Sequence, residues 1–379
     1  MNNSVMHRDL IVFGEDWGGL PSSTQQLIKH LSKTRQVIWV NSIGLRQPKL
    51  CKHDLKRALD KILAVGAQKA PKMADSSDRF TVINPKTIPA PVGFFSRYIA
   101  AALLSYQIRR VIKQTMLVNP ILWISLPTAV DVVGKLGESA VVYYCCDDFS
   151  ALQGVDHETV VSREKQLAND ADLVLTSSKV LTAKFNRRNT ITIEHGVDFK
   201  LFATPTNPAP DLPNNGRPTA GYYGSISAWL DLALLDEIIS RLPHWNFVFI
   251  GEISVDVSLL RRHHNVHFLG PRPHHQLPKY SQHWTASLLP FLHNRQIEAC
   301  NPFKLREYLA AGRPIISTKF PALSPYLQFI DVVDGASEMV LALKKASNTK
   351  HTDQLKRQSV ACDSWQVRAD KVARFMDRL

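Results

Sequence analysis

Short runs rich in β-branched and aromatic residues alternate with longer amphipathic stretches along nearly all of the 379 residues. That alternation confines the chain to parallel sheets wrapped by helices, an α/β fold. In the first half the expected strands are Leu10–Phe13, Val37–Asn41, Phe80–Ile83, Ile121–Ser125, Val141–Cys145, Leu173–Thr176 and Thr190–Ile193. Ser23–Leu31, Arg97–Met116 and Thr159–Asn169 carry helical patterns between them. The segment Ala203–Pro218 (ATPTNPAPDLPNNGRP) has no apolar period and reads as a linker. The pattern then restarts, with strands expected at Ala220–Tyr223, Phe247–Ile250, Val266–Leu269, Ala286–Pro290 and Pro314–Ser317. Helices are expected at Leu230–Arg241 and Pro302–Ala311, and a last helical pattern covers Asp353–Leu379. Two α/β units joined by a proline-rich linker are the expected architecture.

Charge narrows the partners. The formal net charge is +13, and residues 46–113 hold 14 Lys/Arg against 4 Asp/Glu, so most of the excess lies there. An anionic partner or substrate fits that balance. Single-stranded nucleic acid would need aromatics interleaved with the cations. The basic region offers only Phe80, Phe94, Phe95, Tyr98 and Tyr106, several clustered at a helix start, so no nucleic-acid partner is expected. Lys49–Lys72 and the Phe94–Met116 helix, with Arg97, Arg109, Arg110 and Lys113, match a basic amphipathic surface for anionic lipid instead. Five cysteines without a Cys-x-x-Cys pair read as reduced thiols. With no apolar run near ~18 residues, the expected location is cytoplasmic, peripheral on the inner face of the plasma membrane.

Both halves open with a strand and a glycine-containing turn: Gly14-Glu15-Asp16-Trp17-Gly18-Gly19, and Gly221-Tyr222-Tyr223-Gly224-Ser225. Such turns can present backbone N–H groups to an anion, or simply permit a tight strand-to-helix connection. Neither is a dinucleotide or P-loop fingerprint, which argues against a nicotinamide enzyme and an ATPase. Three further segments carry chemistry. Val142–Phe149 ends a strand in the adjacent carboxylates Asp147 and Asp148, where α/β sheets bind ligands; one could be a general base, or a cap. Glu194-His195-Gly196-Val197-Asp198 offers His195 as an acid/base group or as a structural histidine. In Asn301–Pro314, Asn301 is a candidate N-cap with Pro302 at the first helical position, and Gly312 closes the helix. Lys304 and Glu307 share one face, able to hold a diphosphate and ribose hydroxyls, or to form an ordinary ion pair. The doublets His263-His264 and His274-His275 lack the carboxylate or cysteine that would complete a metal set, so neither a structural metal nor a resident cofactor is expected.

Taken together these segments resemble bacterial glycosyltransferases of the GT-B fold, near the family-4 type that builds cell-surface polysaccharides. NPFKLREYLAAGRPIIST is similar to the family's donor-binding helix and following strand, and HGVDFKLF to the segment before its interdomain linker. GYYGSISAWLDLALL resembles the opening loop of its donor domain, and LGPRPHHQLPKYSQHWTASLLPF a later strand-helix-strand run. YYCCDDFS is similar to the xanthan glucuronosyltransferase, an inverting GT-B enzyme whose base aspartate aligns with Asp147 and whose donor-contact lysine aligns with Lys304.

The resemblance implies two Rossmann-like domains about a cleft: an acceptor domain over 1–202, a linker over 203–218, a nucleotide-sugar domain over 219–350, and a C-terminal helix over 351–379 crossing back. It implies a nucleotide diphosphate sugar bound at Gly224, Ser225, Asn301, Lys304 and Glu307, with Glu307 on the ribose. It implies a lipid-linked or oligosaccharide acceptor near Asp16, Trp17, Gly18 and Gly19, and chemistry at Asp147, Asp148 or His195. The chain departs from the family pattern where a first glutamate is expected: that position is Ala299, with Glu298 displaced by one, and no lysine follows the glycine loop. Inverting and retaining outcomes both stay open, as do a GT-B nucleotide-sugar 2-epimerase and a non-catalytic relative.

Overall fold

The computed structural model describes residues 7–19, 21–43, 79–88, 91, 93–152, 156–185, 188–348 and 353–379. The basic stretch Lys49–Lys72 lies outside them. Two compact units emerge, one of Met1–Ile193 with Ala369–Leu379, the other of Glu194–Arg368.

The first unit is built on seven parallel strands: β1 (Leu10–Phe13), β2 (Val37–Val40), β3 (Phe80–Ile83), β4 (Ile121–Ile124), β5 (Ala140–Cys145), β6 (Leu173–Thr176) and β7 (Thr190–Thr192). Their spatial order is β3-β2-β1-β4-β5-β6-β7. β1, β2, β4, β5 and β6 are buried throughout, as strands covered on both faces must be, which is why they read as unbroken apolar runs. The chain reverses its direction of travel between β1 and β4, and the loops leaving β1 and β5 emerge at the carboxyl ends of the strands beside that switch point. The helix Ser23–Leu31 begins there, capped by the Ser22 hydroxyl on the Gln25 N–H.

The second unit repeats the plan with six parallel strands: β8 (Thr219–Tyr223), β9 (Asn246–Ile250), β10 (Val266–Phe268), β11 (Ala286–Leu289), β12 (Ile315–Thr318) and β13 (Asp331–Val333). The order is β10-β9-β8-β11-β12-β13, with the switch point between β8 and β11. Gly221 lies inside β8 rather than in the turn after it. A Cβ there would stand 1.8 Å from the Trp284 ring, and Trp284 is fully buried with its indole N–H on Ser287 Oγ. Gly221→Ala is expected to lose about 1–3 kcal/mol of stability through overpacking, read as a lower midpoint of denaturant unfolding monitored by tryptophan fluorescence.

Three expected boundaries move. The first unit gives way to the second at Ile193/Glu194, before the expected 202, because Val197 bridges to Ser364 and its N–H donates to Asp363 O. The segment 203–218 is no free linker: Ala209 N–H donates to Lys279 O, and Gln282 holds the carbonyls of Phe202 and Thr204 and the N–H of Thr206. Side-chain amides there replace the ladder that prolines deny. The closing segment, described from 353 to 379, holds two helices, Gln354–Gln358 and Trp365–Met376, rather than the one expected, and only Ala369 onward belongs to the first unit. That tail is anchored by buried Arg35, which donates to Asp377 at 2.6 Å, and by Arg8 on Met376 O.

Candidate functional site

In the second unit β8 delivers the chain to Gly224 at φ +124, and Gly251 follows β9 at φ +146. A Cβ on Gly251 would lie 2.0 Å from the Gly224 carbonyl, so the two turns pass each other at backbone contact. The helix Phe303–Ala311 faces this turn. Lys304 Nζ donates to the Tyr222 hydroxyl at 2.9 Å and lies over the rings of Tyr222 (4.6 Å) and Phe291 (5.7 Å). A Cβ on Gly224 would come within 2.5 Å of that ammonium. A half-buried cation is thus held by aromatic faces and one hydroxyl, with no carboxylate among the described residues hydrogen-bonded to it.

One turn further along the same helix, Glu307 is buried and its Oε1 takes a hydrogen bond from His274 Nε2 at 2.7 Å. Desolvation lowers the His274 pKa, but the Glu307 carboxylate outweighs it and leaves the imidazole above its ordinary value. In the sequence His274 stands out only as half of a doublet that completes no metal set, and nothing in its neighbourhood places it on Glu307. Tyr222 was likewise missed as the partner of Lys304.

Asn301 does not cap the helix. Pro302 does, without a side-chain bond, while Asn301 Oδ1 accepts from buried Arg306 at 2.6 Å. Gly312 closes the helix at φ +77 as expected. The Asn301 carbonyl accepts from His195 Nδ1 at 2.6 Å. His195 is buried edge-on to Phe303, and desolvation together with Arg306 pushes its pKa down to about 3. Burial leaves it neutral at physiological pH, with Nδ1 engaged on that carbonyl and Nε2 without a hydrogen-bond partner among the described residues. The sign for stability follows from linkage. Between about 6.5 and about 3 the unfolded chain takes up a proton that the folded one refuses. Stability should fall with pH in that window, and His195→Asn should flatten the dependence in denaturant titrations.

In the first unit the two neighbouring carboxylates part company. Asp148 is buried, and its Oδ1 accepts from Lys184 Nζ at 2.8 Å, Ser150 N at 3.1 Å and Ser150 Oγ at 2.7 Å. Burial pushes its carboxyl up, but those bonds win and hold it below the usual carboxylate range. Lys184 also bridges to Glu164, which accepts from Tyr143. Asp148 is therefore a fixed anion inside an ion-pair network. Asp147 points the other way. Although its side chain reaches solvent, surrounding protein desolvates the carboxyl, and with the charges of Glu15 and Asp148 this pushes it up to about 6. No side chain among the described residues donates to it, so it is an unoccupied acceptor at the carboxyl end of β5.

The turn after β1 is built from its own backbone. Gly19 N–H donates to Asp16 O, Asp16 Oδ1 accepts from Ser42 N, and Trp17 packs on Trp39 and Phe80 at 4.8 and 4.4 Å. Asp16, Gly18 and Gly19 stay exposed. The displaced Glu298 is half-exposed and faces His293 at 3.5 Å, while Ala299 is buried.

This architecture is matched nearly end to end by several solved structures. Sucrose-phosphate synthase of Thermosynechococcus elongatus superposes with a TM-score of 0.69 at 14% identity over 97% of this chain and 98% of its own. An Escherichia coli trehalose-6-phosphate protein bound with UDP-2-fluoro glucose gives 0.67 at 12% identity, covering 98% and 99%. Anabaena HepE in complex with UDP gives 0.66 at 13% identity, covering 98% and 100%. The fold is GT-B. No family model matches the chain. In sequence, 249 aligned residues are 27% identical to TuaH of Bacillus subtilis (strain 168), whose name assigns it to teichuronic acid biosynthesis as a glycosyltransferase. That alignment covers 59% of this chain and 62% of TuaH, less than two thirds of the relative's length. Within the GT-B frame, the Lys304–Gly224 turn and Glu307 occupy the switch point of one Rossmann-like unit and Asp147 the strand ends of the other.

Proposed function

We propose that the chain is a glycosyltransferase that moves a hexosyl group from a nucleotide diphosphate sugar to a lipid-linked or oligosaccharide acceptor in cell-surface polysaccharide assembly. The observation that carries this is the Lys304 ammonium set against the backbone of the Gly224 turn, with Glu307 one turn along the same helix. A half-buried cation set against the Gly224–Ser225 turn suits a diphosphate, and a buried carboxylate with one oxygen fixed by His274 suits a pair of ribose hydroxyls. Support comes from HepE structures bound to UDP and to UDP-glucose, and from the likeness to TuaH.

In the reaction, Asp147 takes the proton of the acceptor hydroxyl as its oxygen bonds to the anomeric carbon. The bond from that carbon to the nucleoside diphosphate breaks, and Lys304, beside the Gly224–Ser225 turn, receives the charge that develops on the leaving group. A base in this position favours inversion, and the anomeric configuration of the product by NMR tests it. The exposed Asp16–Gly19 turn, with Trp17, offers the acceptor a surface. No resident cofactor or structural metal enters the proposal. Among the described residues no helix is long and apolar enough to cross a membrane, and the proposed location is peripheral, on the cytoplasmic leaflet. Thermal stabilisation by a panel of nucleotide sugars tests the donor class, since a ligand bound only to the native state raises Tm. Stabilisation by none of them would contradict it.

A further inference from the structure

An arginine set against a buried carboxylate would hold its charge at every physiological pH. Glu307 is paired with a titratable group instead. It is 7% exposed, and its Oε1 takes the hydrogen bond of His274 Nε2 at 2.7 Å. His274 reaches it from the short turn His274–Gln276, where Pro271 and Pro273 stiffen the approach. The imidazole stands edge-on to Phe202 at 5.3 Å. Phe202 lies on the Phe199–Ala203 helix, and Asp198, which caps that helix through the Leu201 N–H, also turns its charge toward the ring. Arg272, two residues before His274, is spent on Asp211 and the Tyr280 hydroxyl. The charges that face His274 are thus both negative. Burial alone would discharge the imidazole, but Glu307 and then Asp198 outweigh it and raise its proton affinity. The buried Tyr223 hydroxyl stands beside the same carboxylate without a hydrogen-bond partner, and a ligand hydroxyl bound to Glu307 would supply one.

We propose that His274 is a positioning residue for donor binding, which fixes one oxygen of Glu307, leaves the other to the ribose, and takes up a proton as the nucleoside diphosphate binds. This deepens the proposed function and rests on its donor site. With His274 protonated, the pair it forms with Glu307 is neutral. With His274 neutral, the pair carries a net negative charge one helical turn from Lys304, the cation assigned to the diphosphate. An anionic ligand favours the first state. Coupling is reciprocal, so the bound nucleotide strengthens the hold of the imidazole on its proton, and nucleotide affinity falls as pH rises through the titration of His274.

The test is calorimetric titration of the full chain with UDP, GDP and ADP in turn, repeated from about pH 6 to about pH 9. For whichever nucleotide binds, wild-type affinity should fall by roughly three- to tenfold across that range beyond any fall seen in His274→Gln. Heats measured in buffers of different ionisation enthalpy should show more proton uptake near neutrality in the wild type than in that variant. His274→Gln keeps an N–H donor for Glu307 and cannot titrate, so it should bind as the wild type does at the alkaline end. The terminal phosphate of the nucleotide titrates in the same range but contributes equally to both proteins, and their difference isolates His274. His274→Ala, which leaves Glu307 without that donor, should bind about tenfold more weakly than His274→Gln. Asp198→Asn preserves the cap and removes a charge facing the imidazole, so it should move the wild-type fall to lower pH. Equal pH dependence and proton uptake in the wild type and His274→Gln would overturn the proposal, as would wild-type affinity in His274→Ala. Failure of the donor reading itself looks different: none of the nucleotides would then bind the wild type at any pH, and both conclusions would fall together.

Discussion

Replacing Asp147 with asparagine should leave nucleotide affinity unchanged and lower turnover by ~10²–10⁴-fold. The substitution keeps the shape at the end of β5 (Ala140–Cys145) and removes the acceptor of the proton. Burial of the neighbouring Asp148 in its bonds to Lys184 and Ser150 means it cannot substitute without breaking that network. The pH profile adds an independent reading. A base works when deprotonated, and the Asp147 carboxyl is pushed up to about 6. In the wild type kcat/KM should therefore climb as pH rises through about 6 and level off above it. That limb should vanish from the residual activity of Asp147→Asn. Asp148→Asn should instead reduce stability, visible as a lower Tm with the pH limb retained.

The second large effect belongs to the donor residues. Lys304→Ala and Glu307→Ala should each weaken nucleoside diphosphate binding by roughly ten- to hundredfold, the cost of one charge-assisted hydrogen bond of about 1.5–3 kcal/mol. Calorimetric titration reads it directly. Tyr222→Phe removes only the hydroxyl that steers the ammonium and keeps the ring beneath it, so its effect should be smaller than that of Lys304→Ala. Unchanged affinity in both alanine variants would remove the donor site from the Phe303–Ala311 helix.

What could be read from the sequence followed burial. Leu10–Phe13 and Ser23–Leu31 fall where periodicity places them, because a doubly covered strand and an amphipathic helix write their environment into consecutive residues. Asp331–Val333 escaped notice: it is three residues long and begins with a charge at the sheet edge, so no pattern marks it. The expected linker failed because proline content reports the lack of ladder bonds and is blind to the side-chain amides of Gln282 and Asn246 that replace them.

The site divides in the same way. Lys304 and Glu307 were legible as two residues three apart on a helix. The partners that orient them, Tyr222 and His274, come from strand and loop segments more than thirty positions away, and only tertiary structure joins them. Asp147 and Asp148 were legible as a pair with opposite directions; which of them is free depends on Lys184, brought from a later helix. His195 and Asn301 looked chemical in sequence because both carry polar groups in a recognisable motif. In the fold they bond to each other, Asn301 also accepts from Arg306, and together they hold the start of the Phe303–Ala311 helix.

The most direct test is to supply the purified chain with nucleotide diphosphate hexoses, one at a time, together with a lipid-linked saccharide fraction, and to follow both products by mass spectrometry. The proposed function predicts an acceptor heavier by one hexose, matched mole for mole by released nucleoside diphosphate, with both signals lost in Asp147→Asn. Release of nucleoside diphosphate without a heavier saccharide, or isomerised donor with no acceptor dependence, would contradict it.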